Sequence, residues 1–170
     1  TDVIGLDDEH AEAYRLRGTA YFELGDYPEA IEDLTVALKS DPENIQLLLL
    51  RGNSYLELNQ PEEAIKDFDA VLALDPDNEE ALRQSGQILF AAEKYEEALE
   101  IYDIILEANP DNTATLVDRS RCYEKLGQVS KALVDLNRAI ELDPTLAEKH
   151  KTELTALYMQ RGSQFLEDGK

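Results

Sequence analysis

Residues 45–78 read IQLLLLRGNSYLELNQPEEAIKDFDAVLALDPDN, and this stretch decides the fold. From Leu47 to Leu58 the apolar residues return at helical spacing. Asn59-Gln60-Pro61 interrupts them: Asn tolerates the left-handed backbone that ends a helix, and Pro suits the first position of the next. A second helical pattern runs over 62–73 through Ala64, Ile65, Phe68, Val71 and Leu72. Asp75-Pro76-Asp77-Asn78 then closes the unit, because Pro76 forbids simple continuation while Asp and Asn offer oxygens that cap a following helix. The unit is helix A, short turn, helix B, short turn.

Working outward, the same template fits 11–44, 79–112 and 113–146. Pro42, Pro76, Pro110 and Pro144 recur every 34 residues, as do Ala30, Ala64, Ala98 and Ala132. Gly18, Gly52, Gly86 and Ser120 keep the same interval. A period of this size marks a repeat array, in which each unit buries its apolar face against the next. Tyr14, Leu48, Leu82 and Leu116 face the core, with Tyr21, Tyr55, Leu89 and Tyr123 two turns further along. The three glycines let helix B approach helix A closely, and the alanines are the reciprocal small contacts.

Small residue, aromatic, Ala and Pro recurring in register four times resemble the tetratricopeptide repeat family over nearly the whole chain. The resemblance implies an all-α fold, a right-handed superhelical solenoid of antiparallel helix-turn-helix repeats. It also implies that helix A of each repeat lines a concave groove that binds a protein or peptide. The family's usual Trp is absent, replaced by Tyr14 and leucines. Glu93 stands where a turn Gly or Asn is usual, which predicts a less regular turn there.

Both ends continue the pattern. Val3–Asp8 aligns with Ala37–Pro42, so residues 1–10 read as the tail of a helix B from a preceding repeat. Tyr158–Gly169 mirrors Tyr14–Gly25, which predicts helix A of a truncated fifth repeat within 147–170. Its register is displaced, Gly162 following Ser120 by 42 residues instead of 34. The extra residues predict one long helix from about Leu146 to Glu167. The natural protein is then expected to be longer, with both ends exposing surfaces suited to self-association or to neighbouring domains.

Two slots change together. Arg17, Arg51 and Arg119 precede the small residue of helix A, and Asp33, Asp67 and Asp135 occupy one slot of helix B. In the third repeat both differ, as Ser85 and Ile101. The joint change predicts a bidentate Arg–Asp contact between the helices, which the planar guanidinium suits.

Groove-facing slots of helix A give Arg15, Leu16, Thr19 and Phe22, then Leu49, Leu50, Asn53 and Leu56. Arg83, Gln84, Gln87 and Phe90 follow, then Val117, Asp118, Arg121 and Glu124. Leu47-Leu48-Leu49-Leu50 is apolar all round, so Leu49, Leu50, Leu56, Phe22 and Phe90 are expected to form an apolar patch flanked by Arg15, Arg83 and Arg121. Such a groove suits an extended or helical peptide with apolar anchors and an acidic group. One mode of the resembled family uses Lys, Asn and Arg to clamp a carboxylate. The matching positions here hold Arg15, Thr19, Leu50, Glu80 and Gln84, so that clamp, and with it the C-termini of the major cytosolic chaperones, is not expected.

Composition narrows the remaining classes. The chain has 170 residues, with 16 basic against 37 acidic and a net charge of −21. That field opposes nucleic acid and anionic lipid. Cys122 is the single cysteine, sits in a helical apolar pattern and reads as a buried inert thiol, so neither an intrachain disulfide nor a thiolate cluster is expected. No apolar run approaches the length of a membrane span, no signal peptide and no Asn-x-Ser/Thr acceptor is seen, and a cytoplasmic or other reducing compartment fits. His10 and His150 read as surface histidines without a ligand cluster. Asp75-Pro76-Asp77-Asn78 opens like a calcium loop but has Glu80 where Gly is required and Gly86 where the distal Glu belongs, so it reads as a turn. No phosphate loop, zinc pattern or activated nucleophile is present, and the expectation is an interaction module without catalysis, metal or cofactor.

Overall fold

A computed structural model describes residues 8–167. All of their regular structure is helical: α1 Asp8–Leu24, α2 Tyr27–Ser40, α3 Ile45–Glu57, α4 Pro61–Leu74, α5 Glu79–Ala91, α6 Tyr95–Ala108, α7 Thr113–Lys125, α8 Val129–Leu142, α9 Leu146–Lys149 and α10 Lys151–Glu167. The chain forms two compact units, one running to Ala81 and the other starting at Leu82. Among the described residues no helix is long and apolar enough to cross a membrane. Asp8–His10 belong to α1, the first helix A; the rest of the expected helix B tail, residues 1–7, lies outside the described residues.

In the first unit α1 packs on α2, α2 on α3 and α3 on α4. Ala30, Leu34, Leu47, Leu48, Ala64, Phe68 and Val71 are buried there. Burying a side chain such as Phe68 contributes about 2–3 kcal/mol. The glycine of helix A decides how close the two helices come. A Cβ at Gly52 would lie 2.8 Å from Phe68 Cε1. The turn after α4 works as its sequence requires: Asp75 Oδ2 accepts from Asn78 Nδ2 at 3.0 Å, and Asn78 Oδ1 caps the next helix by accepting from Ala81 N–H at 3.1 Å.

The second unit repeats the plan through α7 and α8. Leu116, Val129, Ala132, Leu133, Leu136 and Leu157 form one core, with Tyr123, Ile140 and Leu154 packed against it. Gly86 approaches Tyr102 even more closely than Gly52 approaches Phe68, a Cβ there falling 2.6 Å from the ring.

Three expectations need correction. The turn at Glu93 is as regular as the others. Glu93 adopts φ +60°, beside +56° for Asn59, +81° for Gly25 and +69° for Gly127. Its N–H donates to Phe90 O and Lys94 N–H donates to Leu89 O, as Asn59 does to Leu56 and Gln60 to Tyr55. The pair of turn hydrogen bonds imposes the left-handed conformation whatever the side chain. The helix over 146–167 is also divided, into α9 and α10 at His150. His150 is not at the surface: it is 4% exposed, and its Nδ1 lies 2.9 Å from Glu153 Oε2. Helical hydrogen bonding continues across the break, from His150 N–H to Leu146 O and from Leu154 N–H to His150 O, both 2.9 Å.

Candidate functional site

The Arg–Asp slots settle what the arginines before the small residue do. Arg17 donates to both oxygens of Asp33 at 2.6 and 2.8 Å, and Arg119 does the same to Asp135 at 2.7 and 2.8 Å. Arg51 holds Asp67 at 2.9 and 2.6 Å. Each guanidinium is held protonated, first by its hydrogen bonds to the carboxylate. Arg51 also donates from Nη1 to Thr35 Oγ1 at 3.1 Å, and Arg119 from Nη1 to Asp103 Oδ1 at 2.7 Å. In the third repeat Ser85 Oγ is buried without a hydrogen-bond partner. These arginines are therefore structural, and candidate binding residues lie elsewhere on helix A.

In the first unit the helix A slots are largely engaged internally. Arg15 forms an ion pair with Glu12, and Thr19 Oγ1 donates to Arg15 O at 2.9 Å. Phe22 meets Tyr27 edge to face with centroids 5.9 Å apart. Asn53 Nδ2 donates to Glu80 Oε1 at 2.8 Å. Leu16 is exposed, and Leu50 and Leu56 are half-buried. Leu49 is only 6% exposed, so it belongs to the core and offers a partner little surface. An all-leucine turn commits one more side chain inward than an amphipathic helix would.

In the second unit five of the expected residues come together. Arg83, Gln87, Val117, Asp118 and Arg121 line a cleft of about 220 Å³ with Thr113, Ala114, Leu146, Lys149 and His150. Gln87 Nε2 donates to Asp118 Oδ2 at 2.8 Å. Arg121 stands 3.5 Å from Asp118 Oδ1 and 3.8 Å from Glu153 Oε1. Glu153 in turn meets His150, and its Oε1 is buried without a hydrogen-bond partner. Val117 is buried and serves as floor; Gln84 and Phe90 are not among the lining residues, Phe90 lying edge-on to Tyr95 at 5.3 Å. Burial and then Asp118 push the Cys122 thiol up to about 12.

Leu146, Lys149 and His150 carry no site signature in the sequence. The displaced register after Pro144 is the available signal, since residues inserted between repeats must go somewhere on the surface of the array.

Three family models match the chain: tetratricopeptide repeat models over residues 49–113 and 86–160, and a TPR repeat model over 18–59. The first tetratricopeptide repeat domain of Spaghetti (RPAP3), solved bound to the HSP90 peptide SRMEEVD, is 30% identical, with a TM-score of 0.65 over 73% of this chain and 98% of that one. The chain belongs to the tetratricopeptide repeat family. Within it, the fold is also similar to the crystal structure of MamA protein, at TM-score 0.82 and 22% identity over 92% of this chain and 85% of that one. MamA 41-end from Desulfovibrio magneticus gives 0.78 at 21% identity, covering 95% and 97%. No curated protein matches. These tetratricopeptide repeats thus form an all-α scaffold of the kind used for protein–protein interaction.

Proposed function

We propose that the chain is an adaptor that holds a peptide segment of a partner protein on its helix A surface, centred on the cleft between α5, α7 and α9. One observation carries the reading. In a chain of net charge −21, this cleft gathers Arg83, Arg121 and Lys149 around a single acidic lining residue, Asp118. Among the described residues Arg83 and Lys149 have no ion-pair partner, and the contacts of Arg121 are long ones. An acidic side chain or terminal carboxylate of the peptide sits between Arg83 and Arg121, where the planar guanidinium groups bond it in pairs. An apolar side chain of the peptide rests on Ala114 and Leu146. The bound HSP90 peptide of the Spaghetti domain supports a peptide ligand for a repeat unit of this family. Recognition in this reading runs through the α5–α7–α9 cleft, because Arg15, Thr19, Leu50, Glu80 and Gln84 lack the Lys and Asn of a carboxylate clamp. Leu16, Leu50 and Leu56 of the first unit are the secondary surface of the same reading.

The test compares the chain with an Arg83→Glu, Arg121→Glu variant of equal helicity. Segments captured by the wild type are resynthesised and titrated against both. The expected result is a loss of tenfold or more in the variant, and a wild-type affinity that falls with salt. Equal affinity for both proteins overturns the proposal.

A further inference from the structure

His150 lines the same cleft as Arg83, Arg121 and Lys149, and it is the one lining residue of a type whose charge changes near neutral pH. The ring is 4% exposed and held from behind, its Nδ1 lying 2.9 Å from Glu153 Oε2. A carboxylate only accepts, so Nδ1 carries the proton and Nε2 holds the lone pair of the neutral ring. Among the described residues Nε2 has no hydrogen-bond partner, and the ring edge that bears it is the one left to the cleft. The backbone fixes the ring as well. His150 joins α9 to α10, donating its N–H to Leu146 O and accepting from Leu154 N–H, both at 2.9 Å. Glu153 also stands 3.8 Å from Arg121, so ring and guanidinium share one support.

We propose that His150, as an imidazolium, is a further contact of the acidic group held between Arg83 and Arg121, so that the peptide takes up a proton as it binds. This deepens the adaptor reading of the cleft and rests on it. A neutral ring turns its Nε2 lone pair toward an anionic oxygen and repels it. A protonated ring turns a donor toward it instead, and that charge-assisted hydrogen bond is the stronger kind. An anion among Arg83, Arg121 and Lys149 favours a positive ring beside it, and ligand and proton then strengthen one another by the same factor. The remaining charges on the elements around the ring are engaged elsewhere. Asp118 of α7 is held by Gln87, and Glu148 of α9 pairs with Lys151 of α10. On α8, which packs against α9 and α10, Asp135 is taken by Arg119, Glu141 by Arg138, and Lys131 lies over Tyr123. Burial pushes up both the Tyr102 phenol of α6 and the Cys122 thiol of α7, so neither changes charge near neutral pH.

The probe is N-acetylaspartate, whose two carboxylates are ionised throughout the range from about pH 6 to about pH 8. It is titrated into the isotope-labelled 170-residue chain at both ends of that range and at constant ionic strength, with the dissociation constant read from shifted amide cross-peaks. Binding is expected to be at least about fivefold tighter at the acid end. His150→Gln binds with equal affinity at both ends. Glu153→Gln keeps an acceptor for Nδ1–H without the charge that favours an imidazolium, so the difference narrows, and this variant carries the comparison if His150→Gln loses helicity. His10→Gln, at the other histidine of the chain, leaves the difference as it is. Equal wild-type affinity at the two ends, or a pH effect that survives His150→Gln, overturns the proposal and leaves the cleft reading standing. Absence of saturable binding, or binding indifferent to Arg83→Gln and Arg121→Gln, removes the cleft reading and this proposal with it.

Discussion

Arg51 and Asp67, sixteen residues apart on α3 and α4, meet through two parallel hydrogen bonds of 2.9 and 2.6 Å. The environment grades this contact along the chain: the arginine side chain is 57% exposed in the Arg17 pair, 19% in the Arg51 pair and 21% in the Arg119 pair. Asp67→Ala leaves a largely buried guanidinium unpaired and is expected to cost about 3 kcal/mol. Asp33→Ala leaves an arginine that water reaches and costs clearly less. Urea unfolding of the two variants checks the order.

Glu93 holds a left-handed backbone that a side chain disfavours by about 1 kcal/mol. Glu93→Gly is therefore expected to raise stability by about that amount. Gly127→Ala should lower it similarly, although a Cβ there meets nothing within 4 Å, because the cost lies in the backbone alone. Thermal unfolding of both variants separates backbone strain from packing.

Gly86→Ala places a methyl 2.6 Å from a Tyr102 ring that is almost fully buried. The expected loss is about 1–3 kcal/mol, the range for overpacked cores. Tyr102→Leu in the same chain should recover part of it, since Leu136 fills the equivalent slot of the repeat that carries Ser120. A double-mutant cycle in denaturant measures the recovery.

Cys122 is fully buried, and its thiol rises from an ordinary 9.0 to about 12. A raised acid favours the folded state below the unfolded value and loses that contribution as pH climbs through the folded one. Stability is thus expected to decline between pH 9 and 12 more steeply than in Cys122→Ala. At pH 8 alkylation of the native protein should be roughly a thousandfold slower than for the unfolded chain, and should track unfolding. Labelling in increasing urea reads it.

The interior of this fold is written plainly in its residues. Arg17 and Asp33 can be paired from the sequence because their slots change together at Ser85 and Ile101, and a bidentate contact is what such a switch encodes. The glycines are legible for the same reason, since only close approach explains a small residue at a fixed place on every helix A. Glu93 misleads because Gly and Asn are preferences of a turn whose geometry the flanking hydrogen bonds impose. Leu49 misleads because four successive leucines carry no polar mark to say which faces outward. His150, Lys149 and Leu146 are invisible as site residues because the register breaks after Pro144, and periodicity says nothing about where an insertion folds. Which helix A residues of the first unit would meet a ligand is not legible either, because surface is the part of a repeat that its period does not constrain.

The second hand of Arg119 has a consequence of its own. One guanidinium is shared by Asp103 of α6 and Asp135 of α8 while belonging to α7, as Arg51 of α3 joins Thr35 of α2 to Asp67 of α4. A solenoid usually frays from its ends one element at a time. Here the middle helix cannot leave without breaking bonds to both neighbours, so α6, α7 and α8 should exchange their amide hydrogens as one block, and α2, α3 and α4 as another.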